Sequence, residues 1–186
     1  QTKILNEGWA CFWHFKIMNE LDLDQKYHLP FLKSHNQVVR PHIGGINPYN
    51  IGFYIFNKIE RELGLEECFL TRSTHDDVSA IRMFLDQNDF EELNLFAYSH
   101  QKRGVVIDDV SDEIGWRNVR QDLISNTGVN PMPRVYVDEI THSGQLILVH
   151  EHDGRDLELS YAETVVNQVK NLWNNDVKLF TVIEDE

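Results

Sequence analysis

Asn6-Glu7-Gly8-Trp9-Ala10-Cys11-Phe12-Trp13-His14 is the stretch on which the reading of this 186-residue chain turns. It holds one carboxylate, Glu7, and one imidazole, His14, almost two helical turns apart, so on a helix both side chains leave the same face. Ala10 and Cys11 fall between them and are small enough to admit an ion or another helix. Trp9, Phe12, Trp13 and Phe15 surround the pair with aromatic bulk. The pattern is that of two metal-competent or acid–base groups set into an otherwise apolar helix. A simpler reading also stands: with Asn6 as N-cap, Glu7 is an acid in the first turn, where the helix dipole favours it.

Two further stretches follow at fixed order. One is Ser34-His35-Asn36 with Val38, Val39 and Pro41; the other is Gly45-Ile46-Asn47-Pro48-Tyr49 with Gly52, Phe53 and Phe56. Together with Asn6-Glu7-Gly8-Trp9-Ala10 and Trp13-His14 they resemble the SpoVR family (stage V sporulation protein R) over most of the chain. Asn-Glu-Gly-x-Ala is also similar to the third-ligand helix of gluzincin zinc peptidases, in which a His-Glu-x-x-His helix supplies the other ligands. That second motif is absent from this sequence.

The SpoVR resemblance implies several things. Its members are longer and carry an upstream His-x-x-x-His helix, so the chain is expected to be the C-terminal part of a larger protein whose N-terminal part is its first partner. Glu7, His14 and His35 are the implied ligands of zinc or another divalent metal. His14 is a ligand or proton shuttle, and Arg40 and Asn47 would position substrate. The family's link to the spore cortex implies a peptide or cell-wall amide as substrate. The chain departs from the family at Lys33, where a second histidine commonly precedes the one matching His35, and a lone His35 also reads as a satisfied structural residue. The alternative function is a non-catalytic regulatory or scaffolding protein, acting through an acidic surface on a protein partner or a second copy.

Composition narrows the classes. At 41% hydrophobic residues and 25% charged, the chain can bury a core as one domain or two small ones. No run approaches the ~18 apolar residues of a membrane span. The net charge of -13 disfavours phosphate backbones, and the best basic cluster, Gln101-Lys102-Arg103, is too short to offset it, so no nucleic acid is expected. Two cysteines without a C-x-x-C spacing indicate a reduced, cytoplasmic protein, with Cys11 a small core residue.

Taken in order, 6–21 reads as one amphipathic helix with apolar positions 9, 12, 13, 17 and 21. A second helix is expected over 28–35 with Pro30 in its first turn. The breaker-rich segment 37–49, with Arg40 and His42, leads into a helix over 49–63 with Asn47 as cap, Pro48 at the first position and Gly64 as stop. Thr74-His75-Asp76-Asp77 caps a helix over 78–85 and is expected to be solvated. The acidic segment 86–92 is the expected domain boundary. Beyond it, strands at 93–99 and 104–109, a helix over 111–125, strands at 134–140 and 145–152, a helix over 158–173 and a last strand at 177–183 give β-α-β-β-α-β with one extra hairpin strand. The expected fold is therefore α+β: a helical, zincin-helix-like part over 1–90 and a ferredoxin-like part over 91–186. His150 and His152 share one strand face, a spacing that metals use, and are expected on the solvent side of the sheet. Glu184-Asp185-Glu186 reads as a frayed tail.

Overall fold

The computed structural model describes residues 1–42, 44–101 and 104–183. The class is α+β, and the chain divides into two compact units, Gln1–Pro131 and Met132–Glu186.

The first unit opens with α1 (Lys3–Glu20), which begins earlier than the sequence pattern places it. The cause lies far along the chain. The buried Asp77 carboxylate accepts the Ile4 and Leu5 N–H groups, each at 2.9 Å, and so satisfies the donors that a helix start leaves free. Asn6 is therefore inside the helix and does not cap it, and Glu7 lies beyond the first turn.

Next comes α2 (Gln25–Val38), capped by Asp24 through the Lys26 N–H at 3.2 Å. Its early start leaves Pro30 inside the helix and not in the first turn. The start of α3 (Pro48–Leu63) is as expected: Asn47 accepts the Tyr49 N–H at 3.0 Å, Pro48 is the first helical residue, and Gly64 ends the helix at a φ of 95°. Helices α1 and α3 cross at Gly8 and Gly52. A Cβ on either glycine would fall well under 3.0 Å from backbone atoms of the other helix, so the two backbones touch. The crossing buries Leu5, Phe12, Ile51, Ile55, Phe56 and Ile59.

The short helices α4 (Leu65–Thr74), α5 (Asp77–Phe84) and α6 (Gln87–Glu92) follow. Asp76 caps α5 as expected, accepting the Ser79 N–H at 2.8 Å, whereas Asp77 is buried and not solvated. The acidic segment 86–92 proves to be α6, tied to α3. The Tyr54 hydroxyl donates to Asp89 and Glu92 at 2.8 Å each, and Lys58 pairs with Asp86 and Asp89.

The chain runs on into the hairpin β1 (Phe96–Gln101) and β2 (Gly104–Val110) and then α7 (Trp116–Ser125). Leu93, Ala97, Val119, Leu123 and Ile124 share one core with Leu5, Phe12 and Ile55. The division expected at residue 90 therefore falls instead after Pro131, because these apolar side chains close over the helices before it. Lys102 and Arg103, at the expected turn, lie outside the described residues.

The second unit contains β3 (Arg134–Ile140), β4 (Leu146–Glu151), α8 (Leu159–Trp173) and β5 (Val177–Phe180). The sheet order is β3-β4-β5, with β3 and β4 antiparallel and β4 and β5 parallel, joined through α8. Glu158 caps α8, accepting the Ser160 N–H at 3.2 Å and the Tyr161 N–H at 2.6 Å. This corrects the ferredoxin-like expectation. The β1–β2 pair forms its own sheet in the other unit, and β4 and β5 are direct neighbours, whereas a split βαβ places another strand between its parallel pair. Every residue of β3 is exposed, and the buried residues of this sheet include Leu146, His150 and Val177. The expected tail 184–186 is outside the described residues. Among those residues no helix is long and apolar enough to cross a membrane.

Candidate functional site

Glu7 and His14 leave α1 on one side, as their spacing requires, and neither is sealed in the core. Glu7 is half-buried and His14 exposed. Cys11 is buried between them, and its thiol is pushed up by burial and then by the charge of Glu7, so it is held as the neutral thiol and not as a thiolate. The Glu7 carboxylate, as hydrogen-bond acceptor and then by its charge, pushes the Tyr49 phenol above its ordinary range. That contact joins two of the sequence motifs: the carboxylate comes from Asn-Glu-Gly-Trp-Ala on α1, and the hydroxyl comes from the last residue of Gly-Ile-Asn-Pro-Tyr at the start of α3. The Gly8–Gly52 crossing brings the two helices close enough for it.

His35, on α2, is buried among Phe15, Phe31 and Phe53, with ring centroids at 4.8, 5.9 and 4.8 Å. Its Nε2 has no hydrogen-bond partner. Burial lowers its pKa and the nearby His14 lowers it further, which keeps the ring neutral. The His14 ring itself packs edge-on against Phe31 at 5.3 Å. His35 is therefore brought near His14, within an aromatic cage.

Asn47 is buried and fully engaged. Its two amide N–H groups donate to the Val38 and Arg40 carbonyls at 2.8 and 2.7 Å while its oxygen caps α3. With both donors used on the loop, its side chain shapes the loop, and the residue also lines a cavity of the same unit. The Arg40 side chain is exposed on that same loop.

Glu7 and His14 fit a metal centre as two donors on one accessible face. Zinc takes three or four protein ligands. Among the described residues no group of three or more His, Cys, Asp or Glu is arranged to hold an ion. The pair at 150 and 152 does not supply one either. His150 is buried, not solvent-facing as expected, with its Nδ1 2.9 Å from the Thr181 hydroxyl, and the His152 Nε2 lies 2.8 Å from Asp156.

The first unit also holds a cavity of about 270 Å³. It opens where the loop before α3, the α6–β1 junction and α7 meet. Core side chains including Ile51, Leu93, Val119 and Leu123 line it, with His42, Asn47, Asn50, Asn94, Tyr98, Asp122 and Asn126 among its polar lining. Glu7, His14 and His35 do not line it. Asp122 and Tyr49 were not singled out from the sequence. Tyr49 stands in a motif that could have pointed to it; nothing local to Asp122 gives such a signal.

The sequence matches a known family. The model of the SpoVR like protein family matches residues 1–132, and the chain belongs to that family. A curated relative is the uncharacterized protein YcgB of Escherichia coli (strain K12), 28% identical over 219 aligned positions. The match takes in 100% of this chain and 43% of YcgB, so the chain spans under half the length of that relative. No solved structure matches the chain significantly.

Proposed function

We propose that this chain is the part of a SpoVR-like protein that contributes Glu7 and His14, two donors on one accessible helix face, to a divalent-metal site for hydrolysis of a peptide or cell-wall amide. The remaining donors come from parts of the protein beyond the described residues. The carrying observation is the joint placement of Glu7, Tyr49 and His14, which unites the two motifs most characteristic of the resemblance on a surface that solvent reaches.

Within this reading Tyr49 orients the Glu7 carboxylate and shares its charge. His14, exposed at the other end of the face, is free to take or pass a proton at its ring. A zinc ion, when bound, would polarise a carbonyl and acidify a water. His35 stays neutral in its aromatic cage, behind His14. The family name links the reaction to sporulation.

The test is the metal content of the full-length protein beside its Glu7→Gln and His14→Ala variants. The reading expects bound divalent metal in the parent and a loss of at least half in each variant. Equal stoichiometry in all three ends the ligand assignment.

A second reading, a non-catalytic scaffold, is favoured by a different observation. Val135, Tyr136, Val137 and Ile140 of β3 are all exposed, as are Leu172 and Phe180 in the same unit. Apolar surface of that extent fits a partner-binding module. Full retention of in vivo function by the Glu7→Gln variant would favour it.

A further inference from the structure

The cavity beside α7 carries a recognition chemistry that the α1 face does not use. Its floor is apolar core: Ile51 and Val119 are 1% exposed, and Leu123 is 4% exposed. Its polar lining includes His42, Asn47, Tyr98 and Asn126, and beside them a set of acceptors. Asp122 supplies a carboxylate, and the side chains of Asn50 and Asn94 supply amide oxygens. Asn94 is held at a φ of 50°, and its amide nitrogen donates to the Glu92 carbonyl at 3.3 Å, which leaves its oxygen available.

Asp122 is the key group. The Asn126 amide donates to its Oδ1 at 3.1 Å, while its Oδ2 has no hydrogen-bond partner and forms no ion pair among the described residues. Asp122 is half-buried beside an apolar wall, where an approaching cation interacts with it more strongly than in open water. The pKa of Asp122 is raised, first by burial and then by Asp108, with the Asn126 bond offsetting only part of this, as an acid lacking its countercharge should show.

We propose that this cavity binds the end of an organic cation, an alkylammonium or guanidinium group with a short apolar stem, with Asp122 as its counterion. Such a group carries only donors, matching the Asp122 carboxylate and the Asn50 and Asn94 amide oxygens, and its methylenes match the apolar floor. At about 270 Å³ the cavity is near the lower end of ligand pockets and suits a stem of several carbons, not a drug-sized molecule. The net charge of -13 draws cations towards the chain as a whole. The same chemistry is presented by a free amine or by the lysine or arginine side chain of a peptide.

The experiment is calorimetric titration of the 186-residue chain with agmatine, with the capped tripeptide acetyl-Ala-Arg-Ala-amide and with neutral 1-pentanol. The proposal expects at least one cation to bind at least tenfold more tightly than pentanol, and Asp122→Asn to erase that margin while the melting temperature stays within 2 °C. A tighter fit of agmatine identifies a free cation as the ligand, and a tighter fit of the tripeptide identifies a protein side chain. Pentanol binding as well as the cations, or no cation binding at millimolar concentration, overturns the proposal. The cation-versus-alcohol comparison on the wild-type chain stands even if the variant does not fold.

Discussion

Replacing Gly52 with alanine puts one methyl group where α1 and α3 already touch. The new Cβ would meet the Ile4 carbonyl oxygen and the Gly8 Cα and N, all backbone atoms and all under 3.0 Å. No side-chain rotation can relieve such contacts, so the helices must move apart by on the order of 1 Å to regain ordinary van der Waals distances of ~3.5–4 Å. Separation on that scale opens gaps around Leu5, Phe12, Ile51, Ile55, Phe56 and Ile59, every one of them 1% exposed or less. Losing even a fifth of the ~1.5–3 kcal/mol that each such side chain gains from burial costs about 2–3 kcal/mol, and direct overpacking adds ~1–3 kcal/mol. Against this stands a gain of about 1 kcal/mol for alanine over glycine within a helix. The net expectation is a loss of about 2–5 kcal/mol, a large share of the ~5–15 kcal/mol of a typical domain. The assay is urea unfolding followed by tryptophan fluorescence, since Trp9 and Trp13 stand on α1 beside the crossing. At a mid-range slope of ~2 kcal/mol per molar urea the midpoint should fall by about 1–2.5 M. Gly45→Ala is the control, because a Cβ there meets open space and should move the midpoint little. A Gly52→Ala midpoint equal to or above that of the parent would refute the backbone-contact argument.

Three other outcomes follow from the same structure. Asp77→Asn can accept only one of the two N–H groups that the carboxylate now holds, so it should lower stability by about 2–3 kcal/mol and speed amide exchange at Ile4 and Leu5, read by hydrogen-exchange NMR. Glu7→Gln should bring the Tyr49 phenol back down towards its ordinary pKa, read by ultraviolet titration of tyrosinate; an unmoved Tyr49 would mean that the two side chains do not meet. Burial pushes the Cys68 thiol up to about 11 from 9.0, so the folded state holds it neutral where the unfolded chain has already ionised. The stability that this neutral thiol contributes is full below pH 9 and is lost as pH rises from 9 towards 11. A Cys68→Ala variant should therefore show a shallower alkaline decline, by on the order of 1–2 kcal/mol across that window.

Local chemistry was legible wherever it acts locally. Asn47-Pro48 opened α3, Gly64 closed it, Asp76 capped α5, and the alternation over 134–140 marked β3 to the residue. What failed was long-range. The start of α1 depends on Asp77, and no inspection of residues 1–10 reveals a cap supplied from another helix. The acidic, turn-rich run at 86–92 reads as a boundary, yet Tyr54 and Lys58 of α3 bind its charges. Strand alternation predicted strands but not partners, so two separate sheets were read as one. Period-two alternation does not say which face of a strand is buried, so it does not reveal that His150 faces inward.

The candidate site was half legible. The shared face of Glu7 and His14 followed from helical spacing alone. Ala10 and Cys11 were read as the small residues that let a helix approach, whereas the approach is made at Gly8, against Gly52. Tyr49 as the partner of Glu7 required the crossing of α1 and α3, and Asp122 required three segments to meet around one cavity.

The most direct test of the central claim, that the Glu7–His14 face does chemistry, is to assay the purified full-length protein, supplied with zinc, for release of new amino groups from a cell-wall stem peptide. The account predicts measurable hydrolysis that falls at least a hundredfold in both Glu7→Gln and His14→Ala while their melting temperatures stay near that of the parent. Hydrolysis at parental rates in those variants, or none in the zinc-loaded parent itself, would contradict it.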